Sequence, residues 1–117
     1  MKLKIAMCQL LIEGGEPERN LERAEELIEI AKDNDSDIAL LPECIDFGKY
    51  SDQLCEMAKK YKIYICVGLT EKDKSNNKNY NSAILIDENG KIILKHRKIN
   101  ILKEAFDYYE VGNKLEV

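Results

Sequence analysis

A layered α/β fold with a mixed sheet is predicted by three features of the sequence. Apolar strand-like runs at residues 2–10, 38–41 and 63–69 alternate with two amphipathic helical repeats. That order favours helices packed on strands that begin parallel. Two later runs, "YNSAILI" and "KIILKHRKI", flank Asp87-Glu88-Asn89-Gly90, a turn with glycine where a positive φ is needed, so the sheet closes with an antiparallel hairpin. At 117 residues the chain reads as one domain, residues 1–117, large enough for a proper core.

Each element has its own signal. In "KLKIAMCQL" Leu3, Ile5 and Met7 share one face and Ala6 and Cys8 the other, as in a strand covered on both sides. Gly14 and Gly15 break it. From Pro17, suited to a first helical turn, Leu21, Ala24, Leu27, Ile28 and Ala31 recur at helical spacing to about Lys32, with Glu16, Glu18 and Glu22 near the positive end of the helix dipole. "DNDSD" turns the chain into a second strand, Ile38 to Leu41, and the expected crossover is right-handed. A second helix is expected near Ser51 as N-cap, with Leu54, Ala58 and Tyr61 on its buried side. "IYICVGL" is the third strand, and "TEKDKSNNKN", polar and without period, reads as an exposed loop. The tail holds a short helical turn and a Gly112-Asn113 break.

Composition narrows the function classes. With 44% hydrophobic and 34% charged residues and two prolines, the chain is globular rather than disordered. No stretch reaches the roughly 18 apolar residues of a membrane span, and residues 1–15 have no leader of the secretory type, so a cytoplasmic location and no membrane partner are expected. A net charge of −4 without a basic stripe argues against nucleic acid. Cys8, Cys44, Cys55 and Cys66 form no C-x-x-C pair and there is one histidine, so neither a zinc site nor disulfides are expected.

One charged residue stands apart. Glu43 follows the apolar run Ile38, Ala39, Leu40, Leu41 and Pro42, where a strand leaves the core, and chemistry in α/β folds gathers beyond the carboxyl ends of strands. A solvated carboxylate is the plain alternative. Lys98 ends the basic run Lys95 to Lys98, whose plain reading is a set of surface cations. Period two puts Ile92, Leu94, His96 and Lys98 on one face and Ile93, Lys95, Arg97 and Ile99 on the other.

Four segments together give the chain a family likeness: "KIAMCQL", "DIALLPE", "YNSAILIDENGKIILKHRKI" and "YYEVGN". In this order they resemble the carbon-nitrogen hydrolases, the nitrilase superfamily of amidases, ureidases and nitrilases. The resemblance implies part of an α-β-β-α sandwich and a Glu-Lys-Cys site, with Glu43 matching the glutamate and Lys98 the lysine. The family's cysteine follows a further strand, past Val117. No metal or organic cofactor is implied. The chemistry asked of these groups is general: a thiolate splits hydrolysis of a poor electrophile into acylation and deacylation, a carboxylate moves the protons, and an ammonium meets the oxyanion.

The chain also departs from the family pattern. The segment after Glu43 shrinks to "CIDFGKY", Asn100 stands where a histidine is frequent, Val111 where proline is frequent, and Ala105 where a second carboxylate is common, with Glu104 beside it as the nearest substitute. None of the four cysteines is expected to replace the nucleophile. Cys8 and Cys66 read as packing residues, Cys55 sits on a helix, and Cys44, if extended, faces away from Glu43. Three readings follow. The first is an amide-hydrolysing enzyme whose amino-terminal part this is, inactive alone, with a small amide-type substrate once completed and a homo-oligomer or second polypeptide supplying the rest. The second is a catalytically silent α/β interaction module. The third is a flavodoxin-like phosphate binder, disfavoured because acids follow the glycines of "LIEGGEPERN".

Overall fold

Pro17 presets the backbone for a first helical turn and has no amide to leave unpaired, and a helix runs from it, α1 (Pro17–Asp33). Asn20, Leu21, Ala24, Ile28 and Ala31 form its buried stripe. A second helix, α2 (Ser51–Tyr61), buries Leu54, Met57 and Ala58. The structure is a computed structural model, and it describes residues 1–43, 45 and 51–116.

Five strands form one sheet in chain order: β1 (Ile5–Met7), β2 (Ile38–Leu40), β3 (Tyr64–Asp73), β4 (Lys78–Ile86) and β5 (Ile92–Arg97). β1, β2 and β3 are parallel, whereas β4 and β5 each run against their neighbour. The expected mixed sheet with two helices is therefore the observed one. In the β4–β5 turn Gly90 has a φ of 79°, and a Cβ there would lie 2.6 Å from the carbonyl oxygen of Cys55 on α2. The turn demands glycine twice, for its backbone angle and for its contact.

Both helices cover the same face of the sheet. Their stripes meet Ala39 of β2, Ile65, Val67 and Leu69 of β3 and Ile84 and Ile86 of β4, and these with Ile28, Leu54 and Ala58 make one core. Each of the larger aliphatic side chains among them, Ile, Leu or Val, contributes roughly 1.5–3 kcal/mol by leaving water. Among the described residues nothing covers the other face. The expectation that the first strand is covered on both sides is corrected here: Cys8 is buried, but Leu3, Ile5 and Met7 are 58%, 52% and 83% exposed. Across that bare face Met7, Leu40, Cys66, Leu85 and Leu94 stand in one row. No helix among the described residues is long and apolar enough to cross a membrane.

A second correction concerns "TEKDKSNNKN". Thr70 to Asp73 continue β3, and Lys78 already belongs to β4, so only a tight turn of four residues separates them. The polarity that suggested a loop is what lets these strands project past the helices. Glu71 on the helix-side face accepts from Arg97 Nε and Nη2 at 3.0 and 2.7 Å, from Lys95 Nζ at 2.6 Å and from Ser82 Oγ at 2.8 Å. Arg97 also reaches Asp73 Oδ2 at 2.7 Å and lies over the Tyr80 ring, 3.8 Å from its centre. An ionic lid thus replaces a helix over this end of the sheet. Burial pushes the Glu71 carboxyl up, but the donors of Arg97, Lys95 and Ser82 outweigh it and hold the pKa at about 2.

A depressed carboxylate stabilises the fold fully above its unfolded pKa of about 4.3, and this contribution drains away as pH falls toward the folded value. Urea unfolding between pH 7 and pH 2 should therefore show Glu71→Gln less stable than the parent at neutral pH by on the order of 2 kcal/mol, with the two curves converging in acid. Curves that stay parallel would contradict the ionic lid.

Candidate active site

β2, β3 and β5 point the same way, because β4 reverses the direction and β5 restores it. Their carboxyl ends therefore share one rim of the sheet. Glu43 arrives there on an interrupted ladder. The Leu41 amide donates to Cys66 O at 2.8 Å, the Gly68 amide donates to Pro42 O at 3.1 Å, and the next bond on this side comes from the Ile45 amide to Gly68 O at 3.1 Å. Regular parallel pairing would place that donor at residue 43. The segment bulges by two residues instead, a device that re-aims side chains at rims. It lies so close over β3 that a Cβ on Gly68 would be 2.6 Å from the Glu43 Cα. On the helix side the buried amide of Asn20 reaches Ile45 O at 3.4 Å and pairs with the Glu13 backbone, tying α1 to this segment.

Lys98 is held by its main chain. Its amide donates to Asn81 O at 2.8 Å and its carbonyl accepts from the Gly112 amide at 2.9 Å. Its side chain and that of Arg97 leave on opposite faces, as the period of two predicts. Lys98 Nζ donates to Glu43 Oε1 at 3.1 Å, across 55 positions of sequence. Asn81 Nδ2 donates to the same oxygen at 2.5 Å. These donors, Asn81 first and Lys98 second, hold the Glu43 carboxyl below the usual carboxylate range, although about half of its side chain is exposed. Beside Asn81 on β3, Thr70 shares a hydrogen bond of 2.8 Å with the Tyr109 hydroxyl, which brings the tail to the rim. An open cavity of about 370 Å³ is lined by Glu43, Asn81, Lys98, His96, Gly68 and Cys66 among others.

The two residues singled out in the sequence, Glu43 and Lys98, thus meet. Glu104 does not join them: it is exposed in the short 3-10 turn Lys103–Ala105 and makes no ion pair with Lys98 among the described residues. Cys66 does line the cavity. Its thiol is pushed up by burial alone, the reverse of an activated nucleophile, and among the described residues Glu43 bonds only Asn81 and Lys98. Burial raises the Cys8 thiol too, and on α2 burial and the charges of Asp52, Glu56 and Asp87 raise that of Cys55. Cys44, with most of the shortened segment, lies outside the described residues. No group of three metal-binding side chains occurs among the described residues. The residues the sequence reading missed are Asn81 and Gly68. Tyr80-Asn81-Ser82 offered a signal, since period two sets Asn81 apart from Tyr80 and Ser82, but pairing it with Glu43 needs the register of three strands.

A carboxylate and an ammonium thus meet at the carboxyl rim of a mixed α/β sheet, and the comparisons give the family. The model of the carbon-nitrogen hydrolases matches residues 4–117, and this chain belongs to that family. It is similar to the omega-amidase NIT3 of Saccharomyces cerevisiae, 35% identical over 86% of this chain and 42% of that protein. It is also similar to nitrilase homolog 2 of Dictyostelium discoideum, 34% identical over 96% of this chain and 37% of that protein. In fold it superposes on the NitN amidase of Nesterenkonia sp. AN1 with a TM-score of 0.88 at 18% identity, covering 97% of this chain and 51% of that one. The chain spans roughly two fifths of the length of the curated relatives just given.

Because the Glu43 backbone rests on Gly68, a methyl there must push it away. Gly68→Ala should cost about 1–3 kcal/mol in chemical denaturation. Gly14→Ala, with nothing within 4 Å, serves as the harmless comparison. Equal stability of the two variants would show that the close crossing is wrong.

Proposed function

We propose that this chain contributes the acid-base carboxylate, Glu43, and the oxyanion-binding ammonium, Lys98, of a Glu-Lys-Cys site that hydrolyses carbon-nitrogen bonds of small amides. One observation carries the reading: the 3.1 Å contact between Lys98 Nζ and Glu43 Oε1 beside an open cavity at the strand ends. The names of its relatives support the substrate class, omega-amidases in Saccharomyces cerevisiae and Xenopus tropicalis among them.

In the reaction the Glu43 carboxylate takes the thiol proton and the thiolate adds to the amide carbon. The Lys98 ammonium donates to the oxygen as it becomes an anion. Glu43 then returns the proton to the leaving amine, and a thioester remains. Water gives Glu43 a proton as it attacks that thioester, the acid departs, and the thiol is restored. The cysteine and the layer that covers the bare sheet face belong to the remaining part of the family fold, outside residues 1–117. The row from Met7 to Leu94, of which Met7, Leu40 and Leu94 are exposed, supports this need for a cover.

Two measurements test the proposal. The chain alone should release no ammonia from simple amides, and mixing it with the carboxyl-terminal half of a family member should restore turnover. In that mixture Glu43→Ala or Lys98→Ala should lower the rate by about 10² or more. Activity in the isolated chain that survives Glu43→Ala would overturn the mechanism. In sedimentation the chain alone should self-associate or bind an apolar dye, and should lose both properties with its complement; a clean monomer that binds no dye would remove the need for a cover.

A further inference from the structure

Asn81 hydrogen-bonds to both members of the pair. Through its main chain it accepts the Lys98 amide at 2.8 Å, and through its side chain it donates to Glu43 Oε1. A carboxylate only accepts, so the Nδ2 end of the amide must face it. Neither bond depends on the other: the first follows from the β4–β5 register, in which Ser82 lies opposite Arg97, and the second from which face Asn81 occupies. Opposite on β3, Thr70 is buried and holds Tyr109, which fixes the floor under Asn81.

We propose that Asn81 is a positioning residue of this site, one that joins Glu43 to Lys98 and, by engaging Oε1, leaves Oε2 of Glu43 to exchange protons with the nucleophile and water. The proposal rests on the reading of Glu43 as the site's base. Both donors converge on Oε1, the Asn81 amide and the Lys98 ammonium. A carboxylate has about four lone-pair positions over two oxygens, so two donors satisfy Oε1 while Oε2 keeps its own. The two donors also differ in kind. An ammonium has three protons and turns toward the oxyanion when that charge forms, which loosens its hold on Glu43. The amide is neutral, carries no transferable proton, and stays. Asn81 thereby keeps the carboxylate aimed during the step in which Lys98 is shared with the substrate, and does for Glu43 what the exposed Glu104 does not do for Lys98.

Carboxyl resonances of chain labelled with 13C-glutamate test the proposal. Glu43 is assigned by the signal lost in Glu43→Gln, and its titration is followed in the parent, Asn81→Ala, Asn81→Asp and Lys98→Met. Removing a donor to the charged form must raise the pKa. The expected result is an upward move toward the ordinary carboxylate range in Asn81→Ala as well as in Lys98→Met. In Asn81→Asp, which keeps the shape and the backbone carbonyl but sets a second carboxylate against the first, the higher of the two coupled pKa values should rise above that range. An unchanged Glu43 titration in Asn81→Ala, with the backbone amide spectrum intact, overturns the proposal. Should that variant fail to fold, Asn81→Asp decides, and the absence of any raised carboxyl overturns it. No cysteine or substrate takes part in this titration, so its failure is separate from a failure to restore amide hydrolysis.

Discussion

Two strands that end on the same rim and face are the constraint on which the rest depends. β2 and β5 lie three positions apart in the sheet, and the two reversals between them cancel. That parity brings the carboxyl ends of both to one place, so a carboxylate and an ammonium 55 residues apart need no loop to find each other. Were the β4–β5 register shifted by one residue, Lys98 would pass to the helix-side face and Arg97 would take its place. The site is therefore a property of the sheet's pairing before it is a property of any side chain.

That register is secured from the side away from the cavity. Arg97 forks onto Glu71, reaches Asp73 and lies on Tyr80, and these contacts leave β5 one face on which to present its neighbour. The adjacent pair Arg97-Lys98 divides the work between the two faces, one residue locking the strand and the other pointing into the cavity. The bulge over Gly68 does the corresponding job for β2, since the Glu43 backbone is held by β3 and by Asn20 from α1. Backbone just beyond the ends of β2 and β5, pinned by main-chain hydrogen bonds, thus aims both groups.

Much of this was legible in the sequence because the signals were local. Helical spacing gave α1 from Pro17, the apolar runs gave the three parallel strands, and Gly90 gave the hairpin. Period two separated Lys98 from Arg97 correctly. What escaped was set by partners distant in the chain. The polar residues 70–73 read as a loop because the cations that make them a strand, Lys95 and Arg97, come more than twenty positions later. Ile5 and Met7 read as covered because an apolar side chain announces burial without saying what buries it. Asn81 stood inside a quoted motif, yet its bond to Glu43 exists only after β2, β3 and β4 have been set side by side. The position of Cys66 on the cavity wall was missed for the same reason.

The bare face and the cavity adjoin one another, since Leu40 and Cys66 belong to both. A layer seated on the apolar row would therefore also adjoin the cavity that holds the Glu43–Lys98 pair. The account stands on the meeting of those two side chains. A crystal structure of the chain at neutral pH measures it most directly: Lys98 Nζ and a Glu43 carboxylate oxygen should lie within about 4 Å on the helix-free face. Finding the two side chains on opposite faces of the sheet would contradict the account at its root.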